Sequence, residues 1–125
     1  MMNAGLVLAL LAGLLHVYIW WLESVSFEKG GRRVFGVRAE DVPVVKPWAF
    51  NQGYYNLFLG VLTIIGAARA WSGAESGLSW VDFGLLVMVG AAIVLVSSDR
   101  TKARAALIQG TLPALGLIAL GLAHA

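Results

Sequence analysis

The amino-acid sequence predicts an all-α polytopic membrane protein, a four-transmembrane-helix bundle in one domain spanning residues 1–125. Three observations carry that expectation. Of 125 residues, 59% are hydrophobic, and the mean hydropathy is +0.80. The apolar residues gather into four runs, about 4–22, 48–70, 78–96 and 105–123, separated by polar stretches. Each run is about 20 residues, the length at which a helix crosses a hydrocarbon core of roughly 30 Å. None has the polar face that a small soluble helical domain needs. Helices are therefore expected over about 4–23, 48–70, 79–98 and 104–123, with a cytoplasmic loop at 24–46.

The first run is preceded only by Met1, Met2 and Asn3. It lacks the basic lead and small-residue cleavage site of a signal peptide, so it reads as a permanent helix. The second run starts near Pro47, which suits a first helical turn. The third opens on Ser79-Trp-Val-Asp82, the pattern of a capping box with Ser79 as N-cap. Small residues recur every fourth position in the first and fourth runs, at Gly5, Ala9 and Gly13 and at Ala106, Gly110 and Ala114. Such faces let helices approach closely. They are expected to pack the first helix on the fourth, or to join copies of the chain into a homo-oligomer.

Basic residues orient the chain. The first polar stretch holds Lys29, Arg32, Arg33, Arg38 and Lys46, and the third holds Arg100, Lys102 and Arg104. The second holds Arg69 alone. Basic loops stay cytoplasmic, so both termini are expected to face outward (periplasmic) from an inner membrane. Trp20, Trp21 and Trp48 then fall near the inner boundary, with Trp71 and Trp80 near the outer one, as interfacial indoles do. The long first stretch carries Gly30-Gly31 and an apolar patch at 34–37, suited to contact with anionic lipid heads.

Composition excludes several functions. The chain has no cysteine, which removes disulfides, thiolate metal sites and Cys nucleophiles. No phosphate-cradling glycine loop, HExxH motif or nucleophile elbow occurs. The two histidines, His16 and His124, lie far apart, so no metal and no cofactor is expected. Four apolar spans leave no surface for nucleic acid.

The informative residues are polar groups inside the apolar runs, which cost several kcal/mol unless paired. His16 and Glu23 share a face of the first helix, roughly 10 Å apart along its axis. Gln52, Tyr55, Asn56 and Thr63 form one stripe of the second helix. Ser97 and Ser98 end the third, and Gln109 lies in the second turn of the fourth. With the orientation above, nearly all fall in the cytoplasmic half. A polar pocket open to the cytoplasm or inner leaflet is expected there, with ligand-binding candidates His16, Glu23, Gln52, Tyr55, Asn56 and Gln109. Structural alternatives stand beside each. His16 can hydrogen-bond Asn56 or Gln52 across helices, Glu23 can pair with Lys46, Arg32 or Arg33, and Gln109 can satisfy carbonyls freed by Pro113.

The run His16-Val-Tyr18-Ile-Trp20-Trp-Leu-Glu23, then Arg33-Val-Phe-Gly36, then Lys46-Pro47-Trp-Ala-Phe-Asn51-Gln52-Gly53-Tyr-Tyr55-Asn56, resembles a family of small bacterial membrane proteins catalogued as domain of unknown function 1304. The resemblance covers nearly the whole chain. It implies four transmembrane helices and an inner-membrane location, and carries no activity with it. Three functions remain open, one of them a structural or accessory membrane protein whose polar residues only fix helix packing. Another is binding or transport of a small hydrophobic or amphipathic molecule reached through membrane lipid. The last is a cofactor-independent acid/base enzyme (an isomerase, cyclase or epoxide-opening enzyme) on a lipid-like or terpenoid substrate, with Glu23 and His16 as the catalytic pair.

Overall fold

In the computed structural model, which describes the backbone of residues 1–124 and the side chains of residues 1–123, the described chain is helical and contains no strand. Helix α1 spans Met2–Trp20 and continues through wider π-helical turns at Trp21–Val25 and Phe27–Gly31. A single turn, α2 (Arg32–Val34), and a 3₁₀ turn at Ala39–Asp41 lead into α3 (Val42–Trp71). Helix α4 spans Ser76–Ser98, a 3₁₀ turn follows at Arg100–Lys102, and α5 spans Ala103–His124.

The expected loop at 24–46 is therefore largely helical, and the second long helix begins at Val42 rather than near 48. Pro43 occupies its first turn and Pro47 lies inside it. The capping box is also corrected: α4 starts at Ser76, with Glu75 as a cap that makes no side-chain bond. Helix ends are closed instead by glycines in left-handed geometry. At Gly73 (φ +82) the Ala74 N–H donates to Arg69 O (2.9 Å) and the Gly73 N–H to Ala70 O (3.1 Å). At Gly36 (φ +70) the Val37 N–H donates to Arg32 O (2.7 Å). Only glycine adopts this geometry without strain, and the returning N–H groups satisfy last-turn carbonyls.

Consecutive long helices alternate in direction. Each packs on two neighbours, α1 on α3 and α5, and α4 on α3 and α5. The close approaches use glycine. A Cβ built on Gly60 would lie 2.6 Å from Gly13 O, and one on Gly13 would lie 2.9 Å from Gly60 O, so α1 and α3 cross backbone to backbone. Gly84 of α4 faces the buried Thr63 hydroxyl, which donates to Leu59 O at 2.9 Å. Gly110 of α5 faces Ala92 of α4, and Gly5 faces Leu120. Helix α1 does pack on α5, as one of the two expectations had it, with Gly5 against Leu120 and Ala9 against Gly116, but the two stripes do not mesh with each other. They are divided, Gly13 serving α3, Gly110 serving α4 and Gly5 serving α5.

The core is Leu6, Ala9, Ala12, Ala67, Val81, Leu85, Met88 and Leu120, alanines alternating with larger aliphatic side chains. Bulkier apolar residues point outward, among them Leu14, Phe58, Phe83, Ile93 and Ile118. Continuous exposed apolar surface of this kind is foreign to a protein facing water. Three segments, Met2–Val25, Ser76–Ser98 and Arg100–Ala123, are long and apolar enough to cross a membrane. Asn51, Gln52, Asn56 and Arg69 set α3 apart from them.

Lys102 Nζ donates to Phe35 O at 2.8 Å, fastening the first polar stretch to the third at one basic end of the molecule. At the opposite end Arg69 stacks 5.3 Å from the Trp80 ring centroid.

Gly60→Ala is expected to lower stability by about 1–3 kcal/mol, since the added methyl meets backbone that cannot yield. Gly121→Ala, with nothing within 4 Å of its Cβ position, serves as the matched control and leaves the melting temperature of the detergent-solubilised protein unchanged.

Candidate functional site

The polar residues converge where α1 passes into its π-helical turn and α3 completes its third turn. A π-turn carries an extra residue, which re-aims the side chains after it and commonly marks a functional site. Here it presents Glu23 and Ser24 to α3. Ser24 Oγ donates to Phe50 O at 2.9 Å, and Asn56 Nδ2 donates to Glu23 Oε2 at 2.8 Å. Gly53 lies between them, buried against Ser24 and Glu23, and any larger residue would collide with Ser24 Oγ. Two residues that sequence reasoning passed over, Ser24 and Gly53, thus close the seam. A glycine set among Asn51, Gln52, Tyr55 and Asn56 was the available signal for a close approach.

An aromatic group flanks the seam. Trp20 meets Tyr54 edge-on at 6.1 Å, and Tyr54 contacts Phe50 at 5.1 Å and Phe58 at 6.1 Å. Trp20 Nε1 is buried without a hydrogen-bond partner among the described residues. Outside the seam, Lys46 pairs with Glu28 at 2.7 Å and holds that carboxyl below its ordinary range. Lys46 is therefore spent on Glu28 and does not pair with Glu23. Arg32 and Arg33 do not pair with Glu23 either.

On the far side of Asn56 an open groove of about 600 Å³ runs between α3 and α4. Gln52, Tyr55 and Asn56 line one end, and Phe58, Leu59, Leu62, Val87 and Ala91 line the rest. A second cavity, of about 300 Å³, lies at the opposite end of the molecule around Met2, Leu6, Ala70 and Leu78.

The structure thus brings Glu23, Gln52, Tyr55 and Asn56 together and leaves His16 and Gln109 apart. His16 is 1% exposed. Its Nδ1 lies 2.9 Å from Ala12 O, and because a carbonyl only accepts, Nδ1 carries the proton. The cross-helix bond from His16 to Asn56 or Gln52 is not made. Gln109 is half-buried on α5 and makes no side-chain hydrogen bond among the described residues. It does not bridge carbonyls at Pro113, through which α5 continues. Neither cavity includes His16, Glu23 or Gln109.

Fold and site together define a class: an all-helical protein with three helices apolar enough to cross a membrane and a carboxylate–carboxamide seam at its basic end. A sequence-family model described as Protein of unknown function (DUF1304) matches residues 10–121, and the chain belongs to that family. No curated protein and no solved structure matches it.

A double-mutant cycle on Glu23→Gln and Asn56→Ala is expected to give a coupling of about 0.5–1.5 kcal/mol in thermal unfolding, the range for one interhelical hydrogen bond in a membrane setting. Independent, additive effects would mean that the pair does not hold the seam.

Proposed function

We propose that the chain is an integral inner-membrane protein of four spanning helices, α3 being the fourth, with both termini outward. We further propose that its groove between α3 and α4 binds or transports a small hydrophobic or amphipathic molecule. What supports the topology is the alternation of α1, α3, α4 and α5, the outward apolar surface and the gathering of basic residues at one end. The polarity that sets α3 apart serves the seam and groove rather than marking a loop. A spanning helix carries polar residues where neighbouring helices supply partners.

The observation that carries the binding reading is the two-part lining of the groove: Gln52, Tyr55 and Asn56 at the basic end, then Phe58, Leu59, Leu62, Val87 and Ala91. Ligand sites are mostly apolar with a few convergent polar groups that fix orientation. An amphipath reaching this groove through the bilayer would set its head beside the amides and its tail along α3 and α4.

Because the sequence has no cysteine, single cysteines test the topology cleanly. Arg33→Cys and Thr101→Cys are expected to react with an impermeant maleimide only after the cells are opened, and Ala74→Cys in intact spheroplasts. The reverse pattern, or Arg33→Cys and Ala74→Cys reacting from one side, would overturn the arrangement. For the groove, a dodecanol bearing a diazirine on its tail is expected to label Leu59, Leu62, Val87 or Ala91, and Ala91→Trp to suppress that labelling. Labelling spread evenly over lipid-facing positions such as Leu11, Phe83 and Ile118 would sink the groove reading.

A further inference from the structure

Glu23 is a half-buried carboxylate with no cationic side chain paired to it among the described residues. The ion pairs take Glu28 with Lys46, and Glu40 and Asp41 with Arg38. The described hydrogen bond to Glu23 comes from Asn56 Nδ2. With Nδ2 as the donor in that bond, the Asn56 amide faces Glu23 with its NH₂ group. The NH₂ group turns to Glu23 and also approaches Gln52 O at 3.4 Å. Asn56 Oδ1 is left as an acceptor with no donor among the described hydrogen bonds. Asn56 simultaneously lines the groove with Gln52 and Tyr55. The Glu23 carboxyl therefore stands directly behind the groove's polar end, ready to ionise when a cation binds in front of it, and the amide between them has an acceptor to offer.

We infer that the groove selects an amphipathic ammonium, a protonated amine with an apolar tail, and that Glu23 supplies its countercharge through Asn56. This inference rests on the groove reading above and narrows it to one class of ligand. Charge complementarity carries it. A carboxylate drawn partly out of water is costly without a cation, and attraction between opposite charges strengthens as the dielectric falls. An amine head donates N–H groups to Asn56 Oδ1, and the Tyr55 ring on the same lining offers a cation–π face. A neutral alcohol makes the hydrogen bond without the charge term. A fatty carboxylate meets the Glu23 charge head-on. The rest of the lining, from Phe58 to Ala91, is apolar and suits the tail.

The test uses the purified full chain in phosphatidylcholine nanodiscs, a zwitterionic bilayer that favours neither sign of charge. Dodecylamine, dodecanol and dodecanoate, compared at equal bilayer concentration at a mildly alkaline pH where the carboxyl is ionised and the amine still protonated, compete with the diazirine dodecanol for labelling at Leu59 and Val87. Dodecylamine is expected to displace the label at about tenfold lower concentration than dodecanol, with dodecanoate weakest. Glu23→Gln is expected to bring the amine down to the level of the alcohol. Tyr55→Lys changes a residue that is 64% exposed and outside the seam. It places a cation at the groove and is expected to abolish the amine preference even if Glu23→Gln fails to fold. Equal displacement by amine and alcohol, or an amine preference that survives these substitutions, would overturn the ammonium assignment and leave the groove reading standing. Absence of groove labelling by the probe itself would overturn that reading and this one with it.

Discussion

The arrangement at the basic end depends on how closely α1 and α3 approach. With glycine at positions 13 and 60, each backbone lies where the other's side chain would be. Helices that meet this closely gain van der Waals contact, the main cohesive term available between helices when the surroundings are as apolar as the helices themselves. From that crossing the antiparallel pair runs toward the basic end, where Gly53 repeats the arrangement against Ser24. The Ser24 bond to Phe50 O and the Asn56 bond to Glu23 both form inside this gap. Widening the crossing by one methyl group would separate both pairs of partners.

The distribution of side-chain size follows from the same constraint. Glycine and alanine occupy the closest helix contacts, with Leu6, Leu85, Met88 and Leu120 filling the core, while many more bulky aliphatic and aromatic residues cover the outside than a protein facing water would expose. Polar groups inside such a structure are costly unless they bond locally or across a helix pair. Thr63 and His16 bond back to their own helices, while Asn56 and Glu23 bond to each other. On the proposed function, that last pair serves both the seam and the groove, because Asn56 lies in the seam and on the groove wall.

Much of the architecture was legible in the sequence because long apolar runs and their polar interruptions leave few alternatives for the backbone. The ends of α4 and α5 fall within a few residues of those expected. The beginning of α3 was not legible, because Pro47 read as the first-turn residue, whereas Pro43 holds that place and Pro47 lies inside the helix. The π-turns left no periodic signature, since one extra residue per turn mimics an irregular stretch. The division of the glycine stripes among three neighbours was also hidden, because spacing reveals a close face without naming the helix that meets it. Of the candidate residues, the stripe Gln52, Tyr55 and Asn56 shares one groove because helical periodicity guaranteed one face. His16 and Gln109 depended on the rotation of other helices about their axes, which no spacing within one helix specifies.

The positions of the bonding partners along the chain also bear on biosynthesis. Every partner in the α1–α3 seam (Gly13, Glu23, Ser24, Phe50, Gly53, Asn56 and Gly60) lies in the first half of the sequence. The seam has all its atoms before the ribosome has made α4 or α5. The fastening from Lys102 to Phe35 spans 67 positions and closes only once the third polar stretch has emerged. A helical hairpin that completes itself early and is locked from below by a late lysine gives the nascent chain an order of assembly.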